Sequence, residues 1–135
     1  MSSRVKTVQQ LPPAYNRECG LSMNDVVLIF TTAPAGPQAE RIARALVEER
    51  LAACVNMSPP MTSIYRWHGG VEREHECQLV IKTTRDRVAA LEQRVTVLHP
   101  YELPEFLVVP AAGGSGAYLD WVREETTDPD AGRTQ

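Results

Sequence analysis

Six side chains in this sequence are the candidate ligands for borderline and soft metal ions: the thiols of Cys54 and Cys77, the imidazoles of His68, His75 and His99, and the carboxylate of Glu76. Thiolate and imidazole suit copper and zinc. None of the six lies in a CxxC or HxxxH pattern, so no single helical turn or tight loop pairs them. Each also has a plainer use. A cysteine within Ala52-Ala53-Cys54-Val55 fits a strand as a small buried hydrophobe. His99 fits a helix C-terminus, where an imidazole favours the dipole, and His68 and His75 read as solvent-facing residues near a turn. An enzyme reading would pair a cysteine nucleophile with His99. No serine elbow, glycine-rich phosphate loop or catalytic carboxylate pair accompanies it, so the chain reads as a binding protein without an organic cofactor.

The elements that must position these groups follow from periodicity. Asp25 to Thr32 is a β-branched apolar run and reads as a buried strand. Pro37 suits the first turn of a helix whose apolar stripe is Ala39, Ile42, Ala43, Leu46 and Val47. Ala53 to Trp67 and Val71 to Thr84 read as one long antiparallel hairpin turning at Gly69-Gly70, with Pro59-Pro60 forcing a bulge on an edge strand. Helical spacing returns from Arg85 to Leu98 and ends at His99-Pro100. Glu105 to Ala111 is a short strand, and Tyr118, Leu119, Trp121 and Val122 mark a last helical turn or two. The expected fold is α+β, a ferredoxin-like βαββαβ sandwich with a long β-hairpin and a short C-terminal helix.

At 135 residues, 43% hydrophobic and 23% charged, the composition is that of one globular domain. Its expected limits are 24–127, with a flexible N-terminal extension over 1–23 and a flexible tail over 128–135. A net charge of -3 supplies no basic field for nucleic acid. The longest apolar run, Val26 to Phe30, is far below the ~20 residues needed to cross a bilayer, and the start lacks a secretory apolar region. No nucleic acid, no membrane and a cytoplasmic location are expected, with Cys19, Cys54 and Cys77 reduced.

Geometry adds an assembly argument. A hairpin arm of about thirteen residues at ~3.3 Å each would be ~43 Å long, whereas a domain of about a hundred residues is only ~34 Å across. The ribbon, with Tyr65 and Trp67 near its tip, should overhang its own globule, and an identical subunit is the simplest cover. With a Gly69-Gly70 turn, Cys54 would lie opposite about Arg85 and Cys77 opposite about Thr62, leaving the sulfurs ~26 Å apart. Cys54 and His99 are expected at opposite ends of the sheet, so a site combining these groups must form between subunits.

Arg50-Leu51-Ala52-Ala53-Cys54-Val55-Asn56, Ser63-Ile64-Tyr65-Arg66-Trp67-His68-Gly69, Leu79-Val80-Ile81-Lys82-Thr83, His99-Pro100-Tyr101-Glu102-Leu103-Pro104-Glu105 and Tyr118-Leu119-Asp120-Trp121, in this order, resemble the CutA family of divalent-cation tolerance proteins. The resemblance implies a PII-like homotrimer held by extended hairpins, and binding of divalent metal ions, Cu(II) first among them, in metal homeostasis. It implies Cys54, His99 and Glu76 as metal-binding candidates. Lys82, Tyr101, Tyr118, Trp67 and Trp121 become candidates for lining an inter-subunit cleft. The alternative functions are a PII-like sensor of a small anionic ligand near Lys82 and Tyr101, and a protein-anchoring scaffold.

Overall fold

Two runs rich in β-branched residues, 26–31 and 79–84, pair at the centre of an antiparallel sheet. In this computed structural model residues 25–128 and 130 are described; the expected N-terminal extension, with Cys19, and the tail beyond 130 lie outside them. The order is β1 (Val26–Pro34), α1 (Pro37–Glu48), β2 (Cys54–Met57), β3 (Met61–Trp67), β4 (Gly70–Thr84), a 3-10 turn (Arg85–Arg87), α2 (Val88–Leu98), β5 (Leu107–Pro110) and α3 (Gly116–Glu125). Strands run β2-β4-β1-β5 across the sheet, with β3 also paired to β4. This is the ferredoxin-like arrangement that the periodicity predicts. Among the described residues no helix is long and apolar enough to cross a membrane.

Alternation along the central strands assigns the two faces. Val27, Ile29 and Ala33 of β1 and Cys77, Leu79 and Ile81 of β4 meet Ala39, Ile42 and Leu46 of α1 and Leu91 and Val95 of α2 in one core. The even-numbered residues point the other way. Register places Cys54, Lys82, Leu28 and Val109 in one row across that second face, and Asn56, Val80, Phe30 and Leu107 in the next. Leu28, Phe30, Val80 and Lys82 are only half-buried, while Leu107 and Val109 are 59% and 40% exposed. The sheet therefore has one face closed by helices and one largely open apolar face.

The hairpin departs from its expected register. The turn is His68-Gly69, not Gly69-Gly70: Trp67 pairs with Gly70, and His68 and Gly69 both have positive φ, 48° and 80°, as a tight hairpin turn requires. Thr62 therefore faces His75 rather than Cys77, and the extra residue of the proline bulge adds one more position, so that Cys54 lies opposite Lys82 rather than Arg85. From Lys82 to Cys77 is five residues, about 17 Å at ~3.3 Å each, so the two sulfurs are closer along the ribbon than the sequence implied. A Cβ at Gly69 would meet no atom within 4 Å, leaving backbone conformation as the whole cost of adding one. Gly69→Ala should lose about 1 kcal/mol, read from the urea midpoint.

The proline bulge sits on the sheet edge, as expected. Met57 pairs with Leu79 and Met61 with Glu76, so Ser58, Pro59 and Pro60 span the gap opposite only Gln78 and Cys77. Ser58 keeps the edge paired: its N–H donates to Gln78 O at 2.9 Å and its hydroxyl accepts from Gln78 N–H at 2.8 Å. The extra residue reverses the alternation. Beyond it Met61, Ser63, Tyr65 and Trp67 share the face of Glu76, Glu74 and Glu72. β1 pairs with β4 only from Glu76 onward, so the half of β4 over 70–75 has β3 as its one strand partner and every side chain from Val71 to His75 is exposed. The ribbon projects instead of folding back.

Two helices differ from their expected limits. The helix expected from Arg85 begins as a 3-10 turn and becomes α-helical at Val88. The terminal turn or two is a ten-residue helix, α3, begun by Ser115, whose hydroxyl accepts from Tyr118 N–H. Val122 packs it on Val26 and Ala53, and Arg50 donates to the carbonyls of Glu124 and Glu125 at its C-terminus.

Candidate functional site

Cys54 opens β2 half-buried on the open face of the sheet, directly opposite Lys82. Lys82 Nζ lies 3.9 Å from Cys54 Sγ and donates a hydrogen bond to Asn56 Oδ1. Asn56 is two residues along the strand from Cys54 and therefore on the same side. The sequence pattern Cys-Val-Asn carries that signal, but the asparagine does not stand out without the lysine that joins them. Cys77, in contrast, is buried in the core beneath α1 and α2. Its thiol packs as a small hydrophobe.

His99 and Glu76 belong to a second cluster. His99 closes α2, its N–H bonding Val95 O, and its ring is buried. Tyr101 N–H donates to His99 Nδ1 at 3.1 Å, so the proton sits on Nε2, which donates to Thr32 O at 2.6 Å. Both ring nitrogens are thereby engaged, and His99 could ligate an ion only by releasing one partner. The Tyr101 ring lies 4.7 Å from the imidazole, and its hydroxyl donates to Glu76 Oε2 at 2.9 Å. His99 thus fastens the segment after α2 to β1, and Tyr101 fastens it to β4.

Burial, then the hydrogen bond to Glu76, raises the Tyr101 phenol well above its usual value. The folded chain holds that proton more tightly than the unfolded chain does. The associated stability is complete below about pH 10 and is lost as pH rises through the folded-state value. Tyr101→Phe should flatten the alkaline decline in a denaturation series, at a cost of about 1–3 kcal/mol at neutral pH for the unpaired Glu76 carboxylate. Glu105 is likewise raised, by partial burial first and by the Glu76 charge second. Its contribution is present below the ordinary carboxylate range and lost as pH rises through the folded value. Glu105→Gln should therefore raise the melting temperature at neutral pH and leave it unchanged near about pH 3, where both states are protonated.

These groups border a groove of about 940 Å³ between β3 and the segment joining α2 to β5, lined in part by Tyr65, Trp67, Glu76, Tyr101 and Glu105. The bulge places Tyr65 and Trp67 there by turning them to the Glu76 face. The remaining sequence candidates lie apart. Lys82 is six residues along β4 from Glu76, about 20 Å, so no small anion could touch Lys82 and Tyr101 of one chain together. Tyr118 and Trp121 stack at 5.5 Å on α3, with Trp121 beside Val47, Arg50 and Ala53 at the far end of the sheet. His68 and His75 are exposed on the ribbon. Among the described residues, no three of His, Cys, Asp and Glu come together to hold a metal ion.

The family model of the CutA1 divalent ion tolerance protein matches residues 27–125. The divalent-cation tolerance protein CutA of Thermus thermophilus is 53% identical over 104 residues, 77% of this chain and 99% of that protein. The crystal structure of CutA from Xylella fastidiosa superposes with a TM-score of 0.74 at 49% identity, over 76% of this chain and 98% of that one. A structure from Archaeoglobus fulgidus, described as a periplasmic divalent cation tolerance protein CutA, gives 0.72 at 36% identity over 75% and 98%.

Proposed function

The chain belongs to the CutA1 divalent ion tolerance protein family, and from that premise we propose that it is a cytoplasmic homotrimer that binds divalent cations, copper first among them. It acts by binding, not by catalysis. Cys54 anchors the ion, and a sister chain supplies the further ligands. The observation that supports this reading is an incomplete site on an uncovered surface. Among the described residues, the Cys54 thiol stands without the two or three companion donors that a copper or zinc centre takes. The chain also leaves its apolar sheet face and its projecting ribbon bare. Assembly would cover the surface and bring donors from different chains together.

Calorimetric titration of the assembled protein with copper and with zinc tests the reading. Wild type should bind both, and Cys54→Ser should weaken binding by at least about tenfold, since a soft thiolate is replaced by a hydroxyl. Equal binding by the two proteins would remove Cys54 from the site, and absence of binding by wild type would remove the function.

A further inference from the structure

The groove between β3 and the segment after α2 gathers charge of one sign. Glu76, which lines it, is only 7% exposed. Its Oε2 accepts from the Tyr101 hydroxyl, while among the described residues Oε1 accepts no hydrogen bond and no cation pairs with either oxygen. Glu105 lines the same groove half-buried. Burial first, and the Glu76 charge second, hold its carboxyl above the usual range, as befits two carboxylates without a counter-charge. Glu74 and Glu72 continue the row from Glu76 along β4. Arg66 borders the groove, but it is exposed, alternates to the other face of β3 and, among the described residues, pairs with none of these carboxylates. A carboxylate taken that far out of water with one phenol as its donor is poorly compensated.

The walls define the partner that would compensate it. Tyr65 and Trp67 stand on the Glu76 face of β3, and Tyr101 lines the groove from the segment after α2. Aromatic faces attract cations and stack on flat ones. They offer nothing to a hard metal ion, which takes six or more oxygens, and no three metal-ligating groups come together among the described residues. An anion would meet Glu76 and Glu105 as like charges. At about 940 Å³ the groove has the volume of a small-molecule site, for which about 300–1,000 Å³ is ordinary. We infer that it binds a small planar organic cation, an amidinium or guanidinium compound, whose N–H groups donate to Glu76 Oε1 and to the Glu105 carboxylate while its flat face lies against Tyr65 or Trp67. This site shares no residue with Cys54 and is independent of the metal-binding reading.

Calorimetric titration of the whole assembled protein with benzamidine, benzamide and benzoate, which are alike in size and differ in charge, tests this. Benzamidine should bind saturably, one per chain. Benzamide should bind at least about tenfold more weakly, since hydrogen bonds between charged partners exceed neutral ones by that factor, and benzoate should not bind. Glu76→Gln keeps an acceptor for Tyr101 and removes the charge, and it should weaken benzamidine by at least about tenfold. Glu105→Gln, expected to be the more stable protein at neutral pH, should weaken it about threefold or more, as should Tyr65→Leu. Glu92→Gln, at an exposed position on α2, should change nothing. Equal binding of benzamidine and benzamide, or benzamidine binding unaltered by both Glu76→Gln and Glu105→Gln, would overturn the inference. So would absence of binding, the result if a sister chain fills the groove, and so would Glu76-dependent displacement of benzamidine by zinc, which would make the groove a metal site. Cys54→Ser should leave benzamidine binding unchanged whatever it does to zinc, so the two readings fail separately.

Discussion

With Leu107 replaced by glutamate, the protein is expected to sediment as single chains at micromolar concentration, folded and with unchanged secondary structure. Leu107 lies on the open face in a row with Phe30, Val80 and Asn56, beside the row that carries Leu28 and Val109. It is outside the core formed with α1 and α2, so its loss leaves that core intact. Burying a leucine fully against a sister chain contributes about 1.5–3 kcal/mol, and burying an unpaired carboxylate there instead costs several kcal/mol more. A trimer would suffer this once per chain, and each ~1.4 kcal/mol is a factor of ten in an association constant. Val97→Glu is the matched control. Val97 is 73% exposed on α2, on the helical side away from the open face, and its replacement should leave the assembled mass unchanged.

His99→Ala is expected to cost about 3 kcal/mol or more, measured by urea denaturation at fixed protein concentration. The imidazole is buried and joins Thr32 O to Tyr101 N–H. Its removal leaves two backbone groups without their partner, each worth about 1–3 kcal/mol if not rehydrated, and opens a cavity against Tyr101. Between His99 and Phe106, which packs against the core, the segment would then keep the Tyr101–Glu76 hydrogen bond. His99→Ala combined with Tyr101→Phe should therefore lose less than the sum of the single losses, since both act on one segment. A loss below about 0.5 kcal/mol for His99→Ala, the level of an ordinary surface substitution, would show that the imidazole does not fasten this segment.

The fold was legible because its apolar periods are unambiguous. The run at 26–31 and the stripe of Ala39, Ile42 and Leu46 have one reading each, and Pro37 and His99-Pro100 mark helix limits without help from tertiary structure. The hairpin register was not, because the sequence His68-Gly69-Gly70 allows two positions for a two-residue turn. The turn places a histidine, not a second glycine, at positive φ, so propensity alone points to the wrong pair. A bulge at Pro59-Pro60 was expected, but its consequence was not. One inserted residue moves Tyr65 and Trp67 onto the Glu76 face and so creates the wall of the groove.

Site residues were legible by type and not by partnership. Cys54, His99, Glu76, Lys82 and Tyr101 stand out in the sequence, yet the structure sorts them into one pair around Cys54 and Lys82 and one network around His99, Tyr101 and Glu76. Asn56 joins the first and Thr32 the second, through an amide and a backbone carbonyl that no motif advertises. The tautomer of His99 depends on a backbone N–H two residues along the chain, which only the folded geometry supplies.

The mass of the untagged protein in solution bears most directly on the claim that a ribbon and sheet face left bare by one chain are covered by its copies. Sedimentation equilibrium at micromolar concentration should give three times the 15.0 kDa chain mass, and the same value after tenfold dilution. A stable, fully folded species at 15.0 kDa under those conditions would contradict the account.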